Sequence, residues 1–452
     1  MTTQIFLAST AFGLATVVAA LEDGAFEPAD RRILVLMCNT EMPEASTAVL
    51  EVSGVAELCT RFDQVYDYNE AIEPLHPARW QPRRIEVPLW ERYFRRLWSL
   101  GDDQLHLVVE SIQVNPAQGL CQIFCDAQID VYADGLMSYG PTRSALPDSI
   151  GCRIERLLHL DLVPGLRPVL LSEWAVRPLI ISTMSLRSVV KGLISGGAGE
   201  EPTRTSEPHR TALVVGQYLA AGGLLTEQEE IELYASMVRR CADAGFSTVI
   251  FKPHPSAPPA QLNRLHQVAA LREVKLTISS ELELAEAAYE RGGIEAVVGC
   301  FSTALATASS LYGLPVFRLG TELMLERLAP YQNSNRIPVT IVDAAVSDLA
   351  LARTAATRVN KDLNGLVAAV SYAMQPTLYP DRRAEAMAYL ARHPQARARY
   401  VKRRRLTSLD LPGGRPQTVA AGGCDGGWRP DSSVECSAAA PSEMLRPATL
   451  VA

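Results

Sequence analysis

The sequence predicts an α/β protein with two parallel sheets, each covered by helices on both faces. Apolar stretches of strand length alternate with helix-like stretches through the first 195 residues, and the alternation restarts after residue 210. Such alternation is typical of parallel sheets, because two parallel strands are usually joined by a helix. Between the two runs lies SGGAGEEPTRTSEPHR, residues 195–210, whose glycines, prolines and charges indicate a linker.

These shifts in composition divide the chain into five parts. We predict a first domain at 1–195, a linker at 196–210, a second domain at 211–350, helices at 351–405 and a tail at 406–452. The tail is rich in glycine, proline and serine and poor in large apolar residues, which predicts disorder.

The first domain opens with an apolar segment that we interpret as a strand from Thr3 to Ala8 and a helix from Phe12 to Leu21. An export signal or a membrane anchor is the alternative, but no lysine or arginine precedes Arg31. Further strands are predicted at 32–38, 105–111 and 129–135, and AVLEVSGVAEL, residues 48–58, is predicted to be helical.

The second domain repeats this pattern. TALVVGQYL (211–219) and STVIFKPHP (247–255) are predicted strands, and IEAVVGCFSTALATASSLYGLPVFRLG (294–320) is predicted as strand, helix and strand. Thr226 stands three residues before Glu229, which fits a capping box at the start of the intervening helix.

Composition excludes several classes of function. The net charge of −7 argues against a nucleic-acid partner. Nine scattered cysteines without a CxxC motif indicate reduced thiols in the cytoplasm and give no zinc site or other metal-ligand spacing. The chain has neither GxxxxGK[ST] nor GxGxxG, so a P-loop or a dinucleotide fingerprint is not supported.

Polar residues follow three predicted strands. In YADGLMSYG, Asp134 precedes Gly135 at the end of the strand at 129–135, where a carboxylate can accept a proton from a substrate hydroxyl. The alternative is an Asp-Gly turn in which Asp134 caps the backbone. We predict that Gly135 lets the chain turn tightly.

The other two stretches lie in the second domain. In KPHP, Lys252 and His254 follow a strand, and an imidazolium there can bond a phosphate oxygen as a leaving group departs. In GCFSTALATAS, Ser302 and Thr303 stand at a helix start, which favours an anion such as phosphate. A turn histidine with a solvated lysine, and simple helix capping by Ser302, are the alternatives.

With these motifs the chain resembles the bacterial polysialyltransferase family and, more loosely, other bacterial sialyltransferases of the GT-B type, in which two Rossmann-like domains face a central cleft. The family carries two acids before a glycine in the first domain, and an HP and a paired Ser/Ser-Thr motif in the second. The counterparts here are ADG at 133–135, HP at 254–255 and ST at 302–303, in the same order. The resemblance covers residues 3–345.

The resemblance implies an inverting transfer of sialic acid from CMP-sialic acid to a glycan hydroxyl, with no metal and no cofactor besides the CMP-sugar co-substrate. It implies that Asp134 is the base, that His254 assists the departing CMP, and that Ser302 and Thr303 hold its phosphate with Lys252 nearby. Further donor or cleft contacts are implied for Gly216, Gln217, Glu281, Ser9 and Thr10. Glu281 is equally well interpreted as an acid favoured by a helix N-terminus.

One position departs from the family pattern, since Ala133 stands where the first acid is expected. Either Asp134 acts alone, or another acid such as Asp130 or Glu110 takes part, or the activity is weak or altered. Three other functions stay open: transfer of another CMP-activated ulosonic acid such as Kdo or of a nucleotide-diphosphate sugar, a binding protein that lost its base, and a sugar-nucleotide 2-epimerase.

The basic stretch at 382–405 has two interpretations. A cationic helix can rest on anionic lipid at the inner face of the membrane, or hold a growing anionic polymer. The composition favours the other interpretation, a solvated helix that leads into the tail.

Overall fold

The computed structural model describes residues 1–40, 48–195, 210–217, 219–253, 259–280, 282–351 and 362–415. Four predicted features lie wholly or largely outside these ranges: the linker, the His254–Pro255 motif, Glu281 and most of the tail.

The first domain is built on seven parallel strands. They are β1 (Thr2–Ala8), β2 (Arg31–Leu36), β3 (Gln64–Asp67), β4 (Gln104–Val109), β5 (Gln128–Ala133), β6 (Ile154–Leu160) and β7 (Arg177–Ile181). Its helices are α1 (Ala11–Glu22), α2 (Val55–Cys59), α3 (Tyr68–Ile72), α4 (Val87–Leu97), α5 (Ala117–Ile123), α6 (Asp148–Gly151) and α7 (Thr183–Ser195). The strand order is β3-β2-β1-β4-β5-β6-β7.

The second domain has a six-stranded parallel sheet. Its strands are β8 (Thr211–Val215), β9 (Thr248–Lys252), β10 (Lys275–Ile278), β11 (Ala296–Gly299), β12 (Val316–Arg318) and β13 (Ser347–Asp348). Its helices are α8 (Glu227–Asp243), α9 (Pro259–Leu271), α10 (Ala285–Arg291), α11 (Thr303–Tyr312), α12 (Thr321–Arg327) and α13 (Arg336–Ala345). The strand order is β10-β9-β8-β11-β12-β13. These two sheets confirm the predicted α/β class.

The remaining helices pack back onto both domains. They are α14 (Leu363–Met374), α15 (Arg383–Arg392), α16 (Pro394–Tyr400) and α17 (Arg403–Ser408). Tyr379, in the turn after α14, accepts a hydrogen bond from the Thr142 backbone N–H at 3.0 Å. On the other side, the Tyr400 hydroxyl bonds Asp343 of α13 at 2.8 Å. The C-terminal helices therefore connect the two sheets.

Burial on both faces explains the apolar strands. Along β1, Ile5 and Leu7 face one core cluster while Phe6 and Ala8 face the other, and all four are fully buried. Side chains alternate along a strand, so a strand covered on both faces is apolar throughout. Each fully buried large apolar side chain contributes roughly 1.5–3 kcal/mol to folding.

Both sheets reverse their winding direction at one point. In the first sheet the chain moves outward from β1 to β3 and then continues from β4 on the other side of β1. In the second sheet the same reversal separates β8 from β11. Ligands of open α/β sheets bind at the carboxyl ends of the strands beside such a reversal.

Three predicted elements differ from the structure. The helix predicted at 48–58 is broken at Gly54, whose φ is +80° and where a Cβ would lie 2.7 Å from the Leu193 backbone. The basic stretch forms three short helices rather than one, because Pro394 starts a new helix after α15. The tail was predicted to begin at 406, yet Leu406 and Leu411 are buried.

Candidate active site

The first-domain part of the site lies where β1, β4 and β5 end side by side. Ser9 and Thr10 follow β1, Glu110 follows β4, and Asp134 follows β5. Thr10 caps α1, since its Oγ1 accepts the Gly13 N–H at 2.9 Å. The strand order thus brings two carboxylates and two hydroxyls to one edge of the sheet, the edge formed by the carboxyl ends of its strands.

Asp134 lies between β5 and a short 3-10 helix, Leu136–Tyr139. Its carboxylate accepts a hydrogen bond from the Asp134 backbone N–H, so the local contact of the turn-capping alternative is present, and it makes no hydrogen bond or ion pair with another described residue. Burial raises the pKa of Asp134 above its usual range. A half-buried carboxylate that no other described residue engages is available to accept a proton.

Glu110 is the second acid at this edge and is buried. Burial, and then the neighbouring charge of Asp134, raise the pKa of Glu110 to about 7, against smaller opposite contributions from Ser9 and Tyr132. The Tyr132 hydroxyl lies 3.2 Å from Glu110 Oε2 and 2.8 Å from the Leu7 carbonyl oxygen. The Tyr132 hydroxyl is the donor in both contacts, so its bond to Glu110 favours the charged carboxylate, and burial outweighs that effect.

Asp130, the other alternative base, is engaged elsewhere. Its carboxylate is fully buried, forms an ion pair with Arg156 and lies 3.0 Å from His106 Nε2. Burial alone would raise its pKa, but these hydrogen bonds outweigh that effect and lower the pKa of Asp130. Ala133 packs against the core on the opposite face of the sheet, so Glu110 is the acid that accompanies Asp134.

The second-domain part of the site is the turn between β11 and α11. Ser302 is buried and caps α11 by accepting the Ala304 N–H at 3.2 Å, so the capping alternative is present. Its hydroxyl hydrogen is not used by that bond and can be donated to a ligand oxygen. Thr303 begins the helix, where free backbone N–H groups favour an anion.

Neighbouring strand ends surround this turn. Gly216 and Gln217 follow β8, and Lys252 ends β9. Gln217 is buried and its Oε1 accepts the Phe301 N–H at 2.9 Å, so it positions the turn that carries Ser302. The Lys252 ammonium is buried and donates to the Ser280 carbonyl oxygen at 3.1 Å.

Two predicted site residues, His254 and Glu281, lie outside the described residues. The strand that leads to His254 is described up to Pro253, and β9 lies directly beside β8. The role of His254 therefore stays a prediction.

The two parts of the site touch. The Leu136 N–H donates to Thr303 Oγ1 at 3.4 Å, and a Cβ on Gly135 would lie 2.9 Å from that same oxygen. The φ of Gly135 is −137°, a conformation open to any residue. We predicted a glycine for a tight turn, and that was wrong: Gly135 is required by the close approach of Thr303.

Sequence reasoning missed one buried acid. Glu286 of α10 accepts a hydrogen bond from the Thr307 hydroxyl at 2.6 Å. Burial raises the pKa of Glu286, the positive charge of Lys252 opposes this, and the charge of Asp134 adds to it. The sequence does offer a signal for this buried acid, because Glu286 stands among alanines in the first turn of a helix.

The family model for alpha-2,8-polysialyltransferase (POLYST) matches residues 4–321, which is more than half of the chain. The chain belongs to the alpha-2,8-polysialyltransferase family. The protein is thus a sialyltransferase-like glycosyltransferase, an enzyme that takes a nucleotide-sugar donor and a glycan acceptor. No curated protein sequence matches the chain.

Solved structures resemble the chain at low identity. The GT-B domain of a Photobacterium damselae sialyltransferase is 11% identical and has a TM-score of 0.39, over 75% of this chain and 95% of that one. Acinetobacter baumannii MurG is 9% identical with a TM-score of 0.38, over 91% and 98%. A putative UDP-N-acetylglucosamine 2-epimerase from Listeria monocytogenes is 12% identical with a TM-score of 0.37, over 82% and 96%.

Two further observations concern the part of the chain that the structure describes. None of its helices there is long and apolar enough to cross a bilayer. In the same residues, no three side chains of His, Cys, Asp or Glu are grouped to hold a metal ion.

Proposed function

We propose that the protein moves sialic acid from a CMP-activated donor to a glycan hydroxyl with inversion at the anomeric carbon. The observation that carries the proposal is the contact of the Asp134–Gly135 turn with Thr303. It brings the backbone that follows Asp134 in one domain against the first residue of a helix in the other. A base and an anion-binding turn are the two groups that such a transfer needs on either side of the reacting sugar.

In the proposed mechanism Asp134 takes the proton of the acceptor hydroxyl as that oxygen attacks the anomeric carbon. The bond to the CMP phosphate breaks at the same time, and positive charge develops on the sugar ring. The Ser302 hydroxyl and the first N–H groups of α11 stabilise the negative charge on the departing phosphate. His254 is proposed to bond or protonate that phosphate.

Glu110 supports this assignment indirectly. Its carboxyl is buried beside Asp134 and is mostly neutral below pH 7, given its raised pKa. A neutral neighbour leaves Asp134 as the charged member of the pair, because two close carboxylates resist double ionisation. The pair thus supplies one base at neutral pH.

The nucleotide preference tests the donor. We expect CMP to raise the melting temperature of the full chain and UDP to leave it unchanged. A response to UDP alone would contradict the CMP donor and favour a nucleotide-diphosphate sugar.

The sugar and the reaction are tested by CMP release. CMP-sialic acid and CMP-Kdo are each incubated with the enzyme, with and without a sialylated glycan. We expect release from CMP-sialic acid that depends on the glycan, and a product whose anomeric configuration is opposite to that of the donor by NMR. Retention, or release from CMP-Kdo only, would overturn the proposal.

We also propose a peripheral contact with the cytoplasmic face of the membrane through 382–405. Arg392, Arg403 and Arg404 are exposed there, whereas Arg399 pairs with Asp343 and Glu322 within the fold. Exposed cations are attracted to anionic lipid.

Pelleting with vesicles containing phosphatidylserine tests this contact. We expect Arg403→Gln/Arg404→Gln to reduce binding. The matched control is Arg92→Gln/Arg96→Gln, which removes an equally exposed basic pair from α4. Equal binding by wild type and Arg403→Gln/Arg404→Gln would remove the membrane from the proposal.

A further inference from the structure

Arginines that the fold withdraws from water are held by acceptors almost everywhere in the described chain. Arg336 donates to the carbonyl oxygens of Tyr331 and Leu328 at 2.7 and 2.9 Å. Arg318 is surrounded by carboxylates, among them Asp343 at 3.3 Å. Such compensation is expected, because a buried cation without an acceptor is costly.

Arg143 differs from these residues. Its guanidinium makes one hydrogen bond to a described residue, from Nη2 to the Ser334 hydroxyl at 2.8 Å. No carboxylate of a described residue lies within 4.0 Å of it. Burial lowers the pKa of Arg143, and no neighbouring negative charge opposes this effect.

The backbone of Arg143 is held from two sides. Its N–H donates to the Gln113 side chain, and its carbonyl oxygen accepts from Gln375. Gln113 lies three residues beyond Glu110 in the loop after β4, so Arg143 stands at the sheet edge that carries the two acids. Ser334 belongs to the second domain, so the guanidinium lies at the boundary between the domains.

From this geometry we infer that Arg143 binds the carboxylate of a sialic acid unit in the cleft. The inference rests on the proposed function, which supplies a carboxylate on the donor sugar and, where the acceptor is sialylated, on the acceptor as well. A guanidinium presents paired N–H donors that match the two oxygens of a carboxylate. Arg143 is half-buried and keeps such donors unused by described residues.

The choice of carboxylate over phosphate follows from the arrangement of the cleft. The proposed phosphate position is the N-terminus of α11, beside Ser302. Arg143 instead lies in a loop of the first domain, on the side of the cleft where the sugars would bind. Its ligand is therefore the acid group that distinguishes sialic acid from neutral sugars.

Binding of an α2,8-linked sialic acid trimer tests the inference without catalysis. The probe is compared, by calorimetry on the full chain, with the same trimer whose carboxylates are converted to neutral amides. We expect wild type to prefer the acid, and Arg143→Gln to lose that preference by roughly tenfold to a hundredfold, the value of a charged hydrogen bond. Arg143→Lys should retain part of it, because lysine keeps the charge but not the paired donors.

Arg92→Gln on α4 is the matched control and should keep the full preference, since Arg92 is exposed on a helix outside the cleft. An undiminished preference in Arg143→Gln would overturn the inference. If Arg143→Gln fails to fold, as judged by its melting temperature, the comparison of Arg143→Lys with wild type decides, and equal preference there overturns it.

Kinetics then separate the two sources of the carboxylate. A raised KM for the sialylated acceptor in Arg143→Gln, with the KM for CMP-sialic acid unchanged, assigns the acceptor, and the reverse assigns the donor. Unchanged values of both, in an active variant, overturn the inference. If wild type binds no CMP and transfers nothing, the proposed function fails, while the trimer titration still reports on Arg143.

Discussion

The two sheet edges that meet at the site carry opposite chemistry. The edge of the first sheet presents acceptors, the carboxylates of Asp134 and Glu110, whose pKa values are raised. The edge of the second sheet presents donors: the Ser302 hydroxyl, the N-terminus of α11 and the buried ammonium of Lys252. Both edges use the same strand order around the reversal point, so the difference lies in the residues and not in the topology.

This division has a physical consequence. Raised carboxylate pKa values arise because the first edge withdraws acids from water without giving them cations. A base held this way gains proton affinity, which suits proton abstraction. A donor-rich edge, in contrast, is suited to anion release. One domain thus prepares the acceptor hydroxyl while the other stabilises the leaving group.

The largest expected effect comes from removing the base of the acceptor-rich edge. Asp134→Asn keeps the shape of the side chain but cannot accept the proton, so we expect kcat to fall by about 10²–10⁴-fold. CMP release in the presence of acceptor measures it. Asp148→Asn, an exposed acid of the same domain, is the control and should keep full activity. A nearly unchanged kcat in Asp134→Asn would show that the two edges do not divide the chemistry in this way.

The second largest effect is the pH dependence that Glu110 gives to the stability of the protein. The pKa of Glu110 is raised in the folded protein, so the stability that this group contributes is complete below its unfolded pKa and is lost as pH rises toward about 7. Glu110→Gln removes this loss because glutamine stays neutral. We expect the variant to gain up to ~3 kcal/mol relative to wild type between pH 4.5 and 7.

Urea unfolding of both proteins at pH 4.5, 6 and 8 measures the difference. The Tyr132 hydroxyl can still donate to the glutamine amide oxygen, so the packing is retained. A stability difference that is constant with pH would mean that Glu110 ionises normally and that the edge of the first sheet does not raise carboxyl pKa values.

Sequence reasoning reached the residues that depend on a single strand. The positions of Asp134, Ser302 and Thr303 follow from where an apolar run ends. The contact of Leu136 with Thr303 joins the two loops, and the convergence of the three side chains on one substrate stays a prediction. The capping box of Thr226 and Glu229 is likewise a local pattern, and both of its bonds are present.

What sequence reasoning missed depends on distant residues. Glu110 comes close to Asp134 only because β4 lies beside β5, which neither strand reveals on its own. Gly54 breaks a predicted helix because Leu193, far along the chain, approaches its backbone. Asp130 was an alternative base in the sequence, and only the fold pairs it with Arg156 of the next strand.

A steric prediction sharpens the comparison at the point where the edges touch. Gly135→Ala would place a Cβ 2.9 Å from Thr303 Oγ1, so one of the two loops must move. We expect a loss of about 1–3 kcal/mol in the free energy of unfolding, the usual effect of overpacking. Thr303→Ala removes the atoms that clash. In the Thr303→Ala background, Gly135→Ala should therefore cost much less stability than it costs in wild type.

A double-mutant cycle by urea unfolding gives the coupling. Additive effects of Gly135→Ala and Thr303→Ala would mean that the two edges are not in contact in solution. The same measurement at two protein concentrations excludes a contribution from association.

The smallest expected effect lies at the donor-rich edge. Ser302→Ala removes the cap of α11 and should cost about 1 kcal/mol of stability. It also removes the hydroxyl proposed to hold the phosphate, so we expect the KM for CMP-sialic acid to rise roughly tenfold. Ser309→Ala, at an exposed position of the same helix, is the control for helix propensity. If Ser302→Ala lowers stability but leaves the donor KM unchanged, Ser302 is only a helix cap, and the anion at that edge is held by backbone N–H groups alone.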